Sequence, residues 1–253
     1  MILNKFSLEG KTAIVTGASR GLGQGMAVGL AEAGADVVAV ASGKKIQETA
    51  DAVRALGRRC IPIQADLASI KSIPAIINAT LKEFGKLDIL VNCAGIIRRA
   101  PAIDFTEKDW DDVININQKS VFFMCQAAAK EMIKQKKGKI INVASMLSFQ
   151  GGVIVPSYTA SKSAVAGITR ALANEWAPLG INVNAIAPGY MATEMTGALQ
   201  NNPSRAAAIL SRIPQGRWGT PEDMKGAVVF LASAASDYLQ AHIIAVDGGW
   251  LSR

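Results

Sequence analysis

Short apolar stretches rich in β-branched residues alternate along the chain with segments of helical period. Seven such stretches each predict a buried strand, and they are Thr12–Thr16, Asp36–Ala41, Arg59–Gln64, Asp88–Asn92, Lys139–Val143, Asn182–Ala187 and His242–Val246. Amphipathic segments predict helices between them, such as Leu22–Ala33, Lys45–Leu56 and Ser69–Phe84. Because strands buried on both faces are apolar throughout, this alternation predicts a parallel sheet with helices on both sides.

No Pro/Gly/Ser-rich linker and no internal repeat divides the chain. We therefore expect one α/β domain over residues 1–253, a Rossmann-type doubly wound sheet of about seven parallel strands. Residues 190–220 contain no predicted strand, although Pro203–Ser211 can form a helix. A long insertion after the carboxyl end of a strand lies where doubly wound sheets bind ligands. The segment is interpreted as a substrate lid, with a mobile surface excursion as the alternative.

Composition narrows the classes of partner. The 253 residues are 50% hydrophobic and 19% charged, which is unlike a disordered chain. A net charge of +7 favours anionic ligands. The basic residues are scattered, and their densest run, Lys134, Lys136, Lys137 and Lys139, is typical of a helix end rather than of a nucleic-acid site. We expect no nucleic-acid partner.

Cysteine and histidine usage excludes further chemistries. Cys60, Cys93 and Cys125 are far apart and odd in number, which argues against a disulfide framework and fits a reducing, cytoplasmic setting. The only histidine, His242, lies at a predicted strand edge, so neither a zinc site nor a Ser-His-Asp hydrolase is expected. Neither the N-terminus nor any other segment has the apolar length of a signal peptide or a membrane span. We expect no metal and no membrane partner.

The first predicted strand runs directly into a glycine-rich turn and then a helix. The turn reads Thr16-Gly17-Ala18-Ser19-Arg20-Gly21-Leu22-Gly23. Its glycines allow backbone amides to approach a pyrophosphate closely, and the helix N-terminus adds the positive end of its dipole. A strand, glycine turn and helix in this order predict dinucleotide binding.

The end of the second strand bears on the choice between NAD and NADP. An acidic residue there favours NAD by accepting hydrogen bonds from the adenosine ribose, and the sequence instead has Ser42 and Lys44. Arg20 can meet a 2′-phosphate together with either residue, or it can be a solvated loop residue. The cofactor is therefore predicted as NAD or NADP.

A serine, a tyrosine and a lysine follow the fifth strand. Ser145 precedes Tyr158, and Lys162 comes four residues after the tyrosine. If Pro156 opens a helix, which is a favoured place for proline, Tyr158 and Lys162 lie one turn apart on one face. A nearby ammonium stabilises phenolate, so the tyrosine can exchange protons near neutral pH. Ser145 can polarise a carbonyl by donating a hydrogen bond.

Together these motifs resemble the short-chain dehydrogenase/reductase family. The resemblance covers nearly the whole chain and rests on Gly17-x-x-x-Gly21-x-Gly23, Asn92-Cys93-Ala94-Gly95, Asn117, Ser145, Tyr158 with Lys162, and Pro188-Gly189. The sequence departs from the family pattern at Cys93, where a second asparagine is usual. The resemblance implies a homotetramer and a catalytic tetrad of Asn117, Ser145, Tyr158 and Lys162, with Asn117 helping to hold a water that relays protons through Lys162.

The family also implies a set of dinucleotide contacts. Asp66 is expected to contact adenine, Asn92 to close over the cofactor, and Thr193 to hold the nicotinamide amide. The other implied contacts are Gly17, Ser19, Arg20, Gly21, Leu22, Gly23, Ser42, Leu67, Ala94, Gly95, Tyr158, Lys162, Pro188 and Gly189.

Several stretches resemble a sugar-acid branch of this family, the 2-dehydro-3-deoxy-D-gluconate 5-dehydrogenases, also called 2-deoxy-D-gluconate 3-dehydrogenases. These stretches are residues 1–3, 95–99, 144–152, 187–193 and 246–251. The branch implies NAD and a role in sugar-acid catabolism, whereas Ser42 and Arg20 favour NADP.

A carboxylate substrate needs a cation, and Arg98 and Arg99 follow the fourth strand. Adjacent arginines in an extended segment point to opposite sides, so at least one is expected to face solvent or an interface. Arg98, Ser145, Gln150 and Tyr190 are the predicted substrate contacts. Trp250 can flank the sugar, but an oligomer contact is the favoured interpretation.

Two alternatives remain open. One is a ketoreductase like the 3-oxoacyl-carrier-protein reductases, whose acidic carrier the positive charge would suit. The other is a nucleotide-binding module without turnover, which the intact Ser145, Tyr158 and Lys162 argue against.

Overall fold

Seven parallel strands form a single sheet in the computed structural model, which describes residues 1–253. The strands are β1 Thr12–Thr16, β2 Asp36–Ala41, β3 Cys60–Gln64, β4 Ile89–Asn92, β5 Gly138–Val143, β6 Ile181–Pro188 and β7 Ile243–Val246. Their spatial order is β3-β2-β1-β4-β5-β6-β7, so the order reverses between β1 and β4. The predicted single α/β domain is confirmed, and every strand boundary lies within one residue of its predicted position.

Nine α-helices flank the sheet. They are α1 Gly21–Glu32, α2 Ile46–Ala55, α3 Ile73–Phe84, α4 Glu107–Ile114, α5 Ser120–Gln135, α6 Pro156–Trp176, α7 Gly197–Gln200, α8 Pro203–Leu210 and α9 Lys225–Ala232. The helix predicted over Ser69–Phe84 is divided, because a short 3-10 turn at Ile70–Ser72 precedes α3. None of the helices has both the length and the apolar character needed to cross a membrane.

Two hydrophobic layers cover the two faces of the sheet. Alternate residues of β1 enter opposite layers: Val15 packs with Met26 and Leu30 of α1, while Ile14 packs with Ile76 of α3 and Met124 of α5. Since successive strand side chains point to opposite faces, a strand buried on both sides must be apolar throughout. This is why a continuous apolar run in the sequence predicts each of these strands.

The densest basic run has two different environments. Helix α5 ends at Gln135, and Lys136 caps it in the left-handed conformation, as the helix-end interpretation predicted. Lys139 differs, because it lies in β5 with only 5% of its surface exposed. Its ammonium pairs with the Asp237 carboxylate at 2.8 Å. The run is therefore not a continuous basic surface.

Candidate active site

A cleft of about 1170 Å³ runs along the carboxyl ends of the strands. It passes the point between β1 and β4 where the strand order reverses, which is where open α/β sheets bind their ligands. Its walls come from the turn after β1, the loops after β2, β3, β4, β5 and β6, and residues 190–212. The sheet therefore brings together motifs that are far apart in sequence.

The glycine turn is shaped for close backbone approach. Gly17 has a φ of +67°, and a Cβ there would lie 2.8 Å from the backbone of Ala94. A Cβ on Gly23 would lie 2.2 Å from the carbonyl oxygen of Gly17. Only glycine fits either position. Helix α1 begins at Gly21, so its free N–H groups and positive dipole end lie at this turn. This cradle fits a dinucleotide pyrophosphate.

The loop after β4 is fixed by a threonine at the end of β1. The Thr16 hydroxyl oxygen accepts hydrogen bonds from the backbone N–H groups of Cys93 and Ala94, at 3.0 and 3.1 Å. These bonds hold Ala94 beside Gly17. Cys93 lines the cleft, and burial raises the pKa of its thiol to about 11, so this departure from the family pattern introduces a neutral side chain.

Asn92 is placed differently from its expected role over the cofactor. Its side chain is buried inside the sheet and does not line the cleft. The side-chain amide donates to the Asn142 side-chain oxygen at 3.0 Å and to the Cys125 sulfur at 3.2 Å. A polar group buried between strands needs such partners, so Asn92 ties β4 to β5 and α5.

All other residues predicted to contact the dinucleotide line the cleft. They are Gly17, Ser19, Arg20, Gly21, Leu22, Gly23, Ser42, Asp66, Leu67, Ala94, Gly95, Tyr158, Lys162, Pro188, Gly189 and Thr193. The Asp66 carboxylate accepts a hydrogen bond from the Ala68 N–H at 2.9 Å, which orients it beyond the end of β3. The predicted substrate contacts Arg98, Ser145, Gln150 and Tyr190 line the cleft as well.

Ser145, Tyr158 and Lys162 meet on one wall. Helix α6 begins at Pro156, as predicted, and the Lys162 ammonium lies 5.7 Å from the centre of the Tyr158 ring. That ammonium donates a hydrogen bond to the Val143 carbonyl at 2.6 Å. The Ser145 oxygen accepts from the Leu147 N–H at 3.1 Å, which leaves the hydroxyl hydrogen free to donate to a ligand.

Burial dominates the ionisation of this group. It raises the pKa of Tyr158 to about 12, against smaller opposing effects of the Ser145 hydroxyl and the Arg99 guanidinium. Burial likewise lowers the pKa of Lys162 to about 8. The expectation that Lys162 lowers the tyrosine pKa is therefore not met in this state, because removing the phenol from water costs more than the neighbouring charges return.

Asn117 lies behind this wall rather than on it. It belongs to a π-helical turn, Asn115–Lys119, between α4 and α5, and such turns are frequent at functional sites. The Asn117 side chain is fully buried, accepts from the Ile96 N–H at 2.8 Å and donates to the Ile96 carbonyl at 2.9 Å. It thereby holds the loop after β4 in place.

The two adjacent arginines diverge, as expected. Arg98 forms ion pairs with Asp109 and Asp112 at 3.3 and 3.2 Å, and these two carboxylates occupy its guanidinium. Arg99 donates instead to the Met195 carbonyl at 3.2 Å, across the cleft, and is near enough to Tyr158 to lower its pKa. Arg99 is therefore the cation of this pair that faces the tyrosine.

Residues 190–220 cover the other side of the cleft. Their two ends are joined by hydrogen bonds between Ala192 N–H and the Gly219 carbonyl at 2.7 Å, and between Gly219 N–H and the Tyr190 carbonyl at 2.9 Å. Between these ends lie α7 and α8. From α8 and the turn after it, Ile209 and Ile213 pack on Trp250, which also lines the cleft.

Comparison with known proteins places the chain in a family. Residues 11–204 match the model of the short chain dehydrogenases. The chain is 62% identical to a 2-dehydro-3-deoxy-D-gluconate 5-dehydrogenase from Escherichia coli strain K12, and the match covers all of both proteins. The chain belongs to the short-chain dehydrogenase family. Family membership makes it an NAD(P)-dependent oxidoreductase acting on CH–OH groups, as its motifs predicted.

Solved structures of this short-chain dehydrogenase family have the same fold. A protein from Agrobacterium tumefaciens, provisionally named a 2-deoxy-D-gluconate 3-dehydrogenase and solved with NADP, is 53% identical with a TM-score of 0.93. The match covers 99% of this chain and all of the other. A gluconate 5-dehydrogenase from Burkholderia cenocepacia J2315, solved with NADP and tartrate, is 38% identical over all of both chains, with a TM-score of 0.96. These names favour neither alternative function.

Some of the residues that line this dehydrogenase cleft were not predicted from the sequence. Arg205 and Arg212 reach the cleft from the lid, and the available signal was that Arg205 lies in the predicted helix Pro203–Ser211 and Arg212 directly follows it. Glu194 carried no signal, because its partner Arg20 is distant in sequence. Trp250 is only 4% exposed within its own chain, with the Arg212 guanidinium 4.0 Å above its ring, so it offers little surface for an oligomer contact.

Proposed function

We propose that the enzyme moves a hydride between NAD(P) and a secondary alcohol or ketone of a sugar acid of the 2-dehydro-3-deoxy-D-gluconate type, in carbohydrate catabolism. The observation that carries the proposal is the convergence of the Ser145 and Tyr158 hydroxyls and the Arg99 guanidinium on one cleft. The full-length similarity to a dehydrogenase of that name supports it.

In this proposal Ser145 and Tyr158 handle the reacting oxygen. A nicotinamide bound in this cleft would supply or accept the hydride at the carbon that carries that oxygen. Ser145 donates its hydroxyl hydrogen to the reacting oxygen. The Ser145 oxygen meanwhile accepts a hydrogen bond from the Leu147 N–H, which holds the hydroxyl in place. Tyr158 gives the proton to the oxygen during reduction and takes it during oxidation.

Lys162 and Asn117 support the tyrosine. The Lys162 ammonium remains mostly protonated at neutral pH, because its pKa of about 8 is still above 7. Its charge stabilises the phenolate that forms when Tyr158 gives up its proton. One of its hydrogens is used by Val143, and two are left for a relay. Asn117 is proposed to support that relay indirectly, by holding the loop after β4 in place through its paired bonds to Ile96.

The sugar acid is held on the lid side of the cleft. Arg99 is proposed to bind the carboxylate, because carboxylate recognition is strongest with a guanidinium and the only partner of Arg99 is a neutral carbonyl. Arg98 is proposed to orient the same loop through Asp109 and Asp112. Gln150 is proposed to hydrogen-bond the sugar hydroxyls and Tyr190 to flank the sugar ring, and residues 190–220 act as the lid.

The dinucleotide lies along the glycine turn in this arrangement. Asp66 is proposed to contact adenine and Thr193 to hold the nicotinamide amide, which is supported by the positions of both residues on the same cleft. Two solved relatives contain bound NADP, which supports dinucleotide binding by this fold. The proposal for Asn92 is indirect: it holds β4 and so the loop that carries Ala94 and Gly95.

A cytoplasmic homotetramer is the proposed state of the enzyme. The three cysteines are all unpaired, which suits a reducing compartment. Large apolar side chains are exposed beside the site, at Ile103, Trp110, Phe149, Val153 and Ile154. Exposed apolar patches of this kind mark protein interfaces. Light scattering coupled to size exclusion tests this directly, and a monomer at micromolar concentration contradicts it.

The deciding experiment is a steady-state assay of dinucleotide absorbance. It offers 2-dehydro-3-deoxygluconate-type acids and, separately, a 3-oxoacyl thioester, each with NAD(H) and with NADP(H). Turnover of the sugar acid alone is the expected result. Turnover of the thioester alone would refute the proposed substrate while leaving the roles of Tyr158 and Ser145 intact.

A further inference from the structure

An ion pair connects the glycine turn to the lid. The Arg20 guanidinium lies 2.5 Å from the Glu194 carboxylate, and both side chains are 62% exposed. Both residues line the cleft. Beside them a Cβ on Gly21 would lie 3.5 Å from the Thr193 methyl group, so the lid rests directly on the turn. The pair therefore spans the cleft between the glycine turn and the lid.

The turn that carries Arg20 also adjoins the end of β2. The backbone N–H of Ala18, in the same turn, donates to the Val40 carbonyl near the end of β2 at 3.1 Å. Ser42, two residues further along, lines the cleft. The turn that carries Arg20 therefore lies between Glu194 of the lid and the end of β2, where the adenosine ribose is proposed to bind. The Arg20 guanidinium already pairs with Glu194, so a phosphate on the ribose side would have to draw it away from that carboxylate.

The distribution of carboxylates in the cleft is uneven. Asp66 and Glu194 are the only acidic residues that line it. An acidic residue at the end of β2 would bind the ribose of NAD and repel a 2′-phosphate, and this chain has Ser42 there. Nothing at that strand end disfavours NADP, so any discrimination must come from elsewhere.

We propose that Glu194 sets the dinucleotide preference by competing with the 2′-phosphate of NADP for Arg20. NAD leaves the Arg20–Glu194 pair intact, so the lid stays tied to the turn over the bound dinucleotide. NADP draws Arg20 toward its 2′-phosphate and must break the pair. The lid carboxylate thus acts against NADP without touching the adenosine. The inference rests on the dinucleotide binding assigned above and not on the identity of the substrate.

The test is calorimetric titration of NAD and NADP into the free enzyme, without substrate. For Glu194→Gln we expect the Kd for NADP to fall about three- to fivefold, the range that an exposed ion pair supports. The Kd for NAD should change less than about twofold on the same scale. The shift should shrink at high salt, since exposed charges are screened.

Two further variants isolate the mechanism. Glu222→Gln removes the same charge from an exposed glutamate that pairs with Lys225 at 2.8 Å outside the cleft, and it should leave both affinities unchanged. Arg20→Gln should weaken NADP and abolish the effect of Glu194→Gln. Equal shifts for NAD and NADP, no shift, or a shift that persists in the Arg20→Gln background each overturn the proposal. Failure of the sugar-acid assay bears on none of these titrations.

Discussion

The two ends of the cleft are built by different means. At the dinucleotide end, the backbone itself forms the wall of the cleft. Gly17 and Gly23 leave no room for a side chain, and Thr16 holds the neighbouring loop by hydrogen bonds. At the lid end, long side chains carry the chemistry, and they are held by exposed contacts such as those of Arg98 and Arg99. A backbone site is rigid and tolerates little change, whereas a side-chain site can be retuned residue by residue.

Replacing Tyr158 with phenylalanine should have the largest effect, and it should separate the two ends. We expect kcat to fall about 10²–10⁴-fold, because the proton-transfer group is lost while the ring still fills its place. Dinucleotide affinity, measured by calorimetry, should weaken by at most about tenfold, since the hydroxyl supplies no more than one of many dinucleotide contacts. Retained turnover would exclude the proposed role of Tyr158, and lost dinucleotide binding would show that the two ends are not independent.

A matched pair of glycine variants tests the rigidity of the dinucleotide end. Gly17 and Gly10 have nearly the same φ, +67° and +69°, but a Cβ on Gly10 meets nothing within 4 Å. Both alanine variants bear the cost of a left-handed backbone, while Gly17→Ala alone also clashes with Ala94. We expect Gly17→Ala to lower the free energy of unfolding by about 2–3 kcal/mol more than Gly10→Ala. Urea unfolding measures this, and equal losses would contradict a close-packed turn.

The pH dependence of stability tests the burial of Lys162. Its pKa is lowered from 10.5 to about 8 on folding, so between these values the unfolded chain binds more protons and stability rises with pH. Below pH 8 the cost of burying the charge is fully present. Lys162→Met removes that cost, so its stability relative to the parent should decline by about 2 kcal/mol from pH 7 to pH 10.

The difference in unfolding free energy between Lys162→Met and the parent protein isolates the pH-dependent effect of the Lys162 charge. Loss of the hydrogen bond from Lys162 to Val143 lowers the stability of the variant by a similar amount at every pH. Tyr158 has a pKa of about 12 in the folded parent and a higher one without the Lys162 charge, so it stays protonated in both folded proteins up to pH 10 and contributes equally to both. A difference in urea stability that stays constant from pH 7 to pH 10 would mean that Lys162 is not charged and buried as described.

The smallest expected effect distinguishes the adjacent arginines at the lid end. Arg99→Gln should raise KM for the sugar acid about tenfold, the loss of one hydrogen bond to a charged group. Arg98→Gln should raise it less than about threefold, since Asp109 and Asp112 already occupy that guanidinium. Steady-state kinetics with both variants measures the contrast. A larger rise in KM for Arg98→Gln than for Arg99→Gln would show that Arg98 binds the substrate carboxylate, as predicted from the sequence.

The dinucleotide end could be predicted from sequence because its signals are local. Gly17, Gly21 and Gly23 follow one strand directly, and the turn they form depends on the backbone of those few residues. Tyr158 and Lys162 are likewise one helical turn apart. The strands were found to within one residue because burial on both faces makes them apolar throughout.

The lid end could not be predicted in the same way. The partner of Arg20 is Glu194, and the partners of Arg98 are Asp109 and Asp112, none of which any local pattern singles out. The ionisation of Tyr158 also depends on its burial in the folded chain, which outweighs the charges that the sequence identifies. The inward position of Trp250 depends on packing against Ile209 and Ile213.

The bridge between Met191 and Gly219 has an evolutionary consequence. It joins the two ends of a long insertion at the sheet, so the residues between them form a closed loop with its own base. Such a loop can be lengthened, shortened or exchanged without altering the register of β6 or β7. Selection, or a protein engineer, can therefore transplant the segment as a cassette and change the preferred sugar, and the dinucleotide preference is kept only if Thr193 and Glu194 are retained in the new segment.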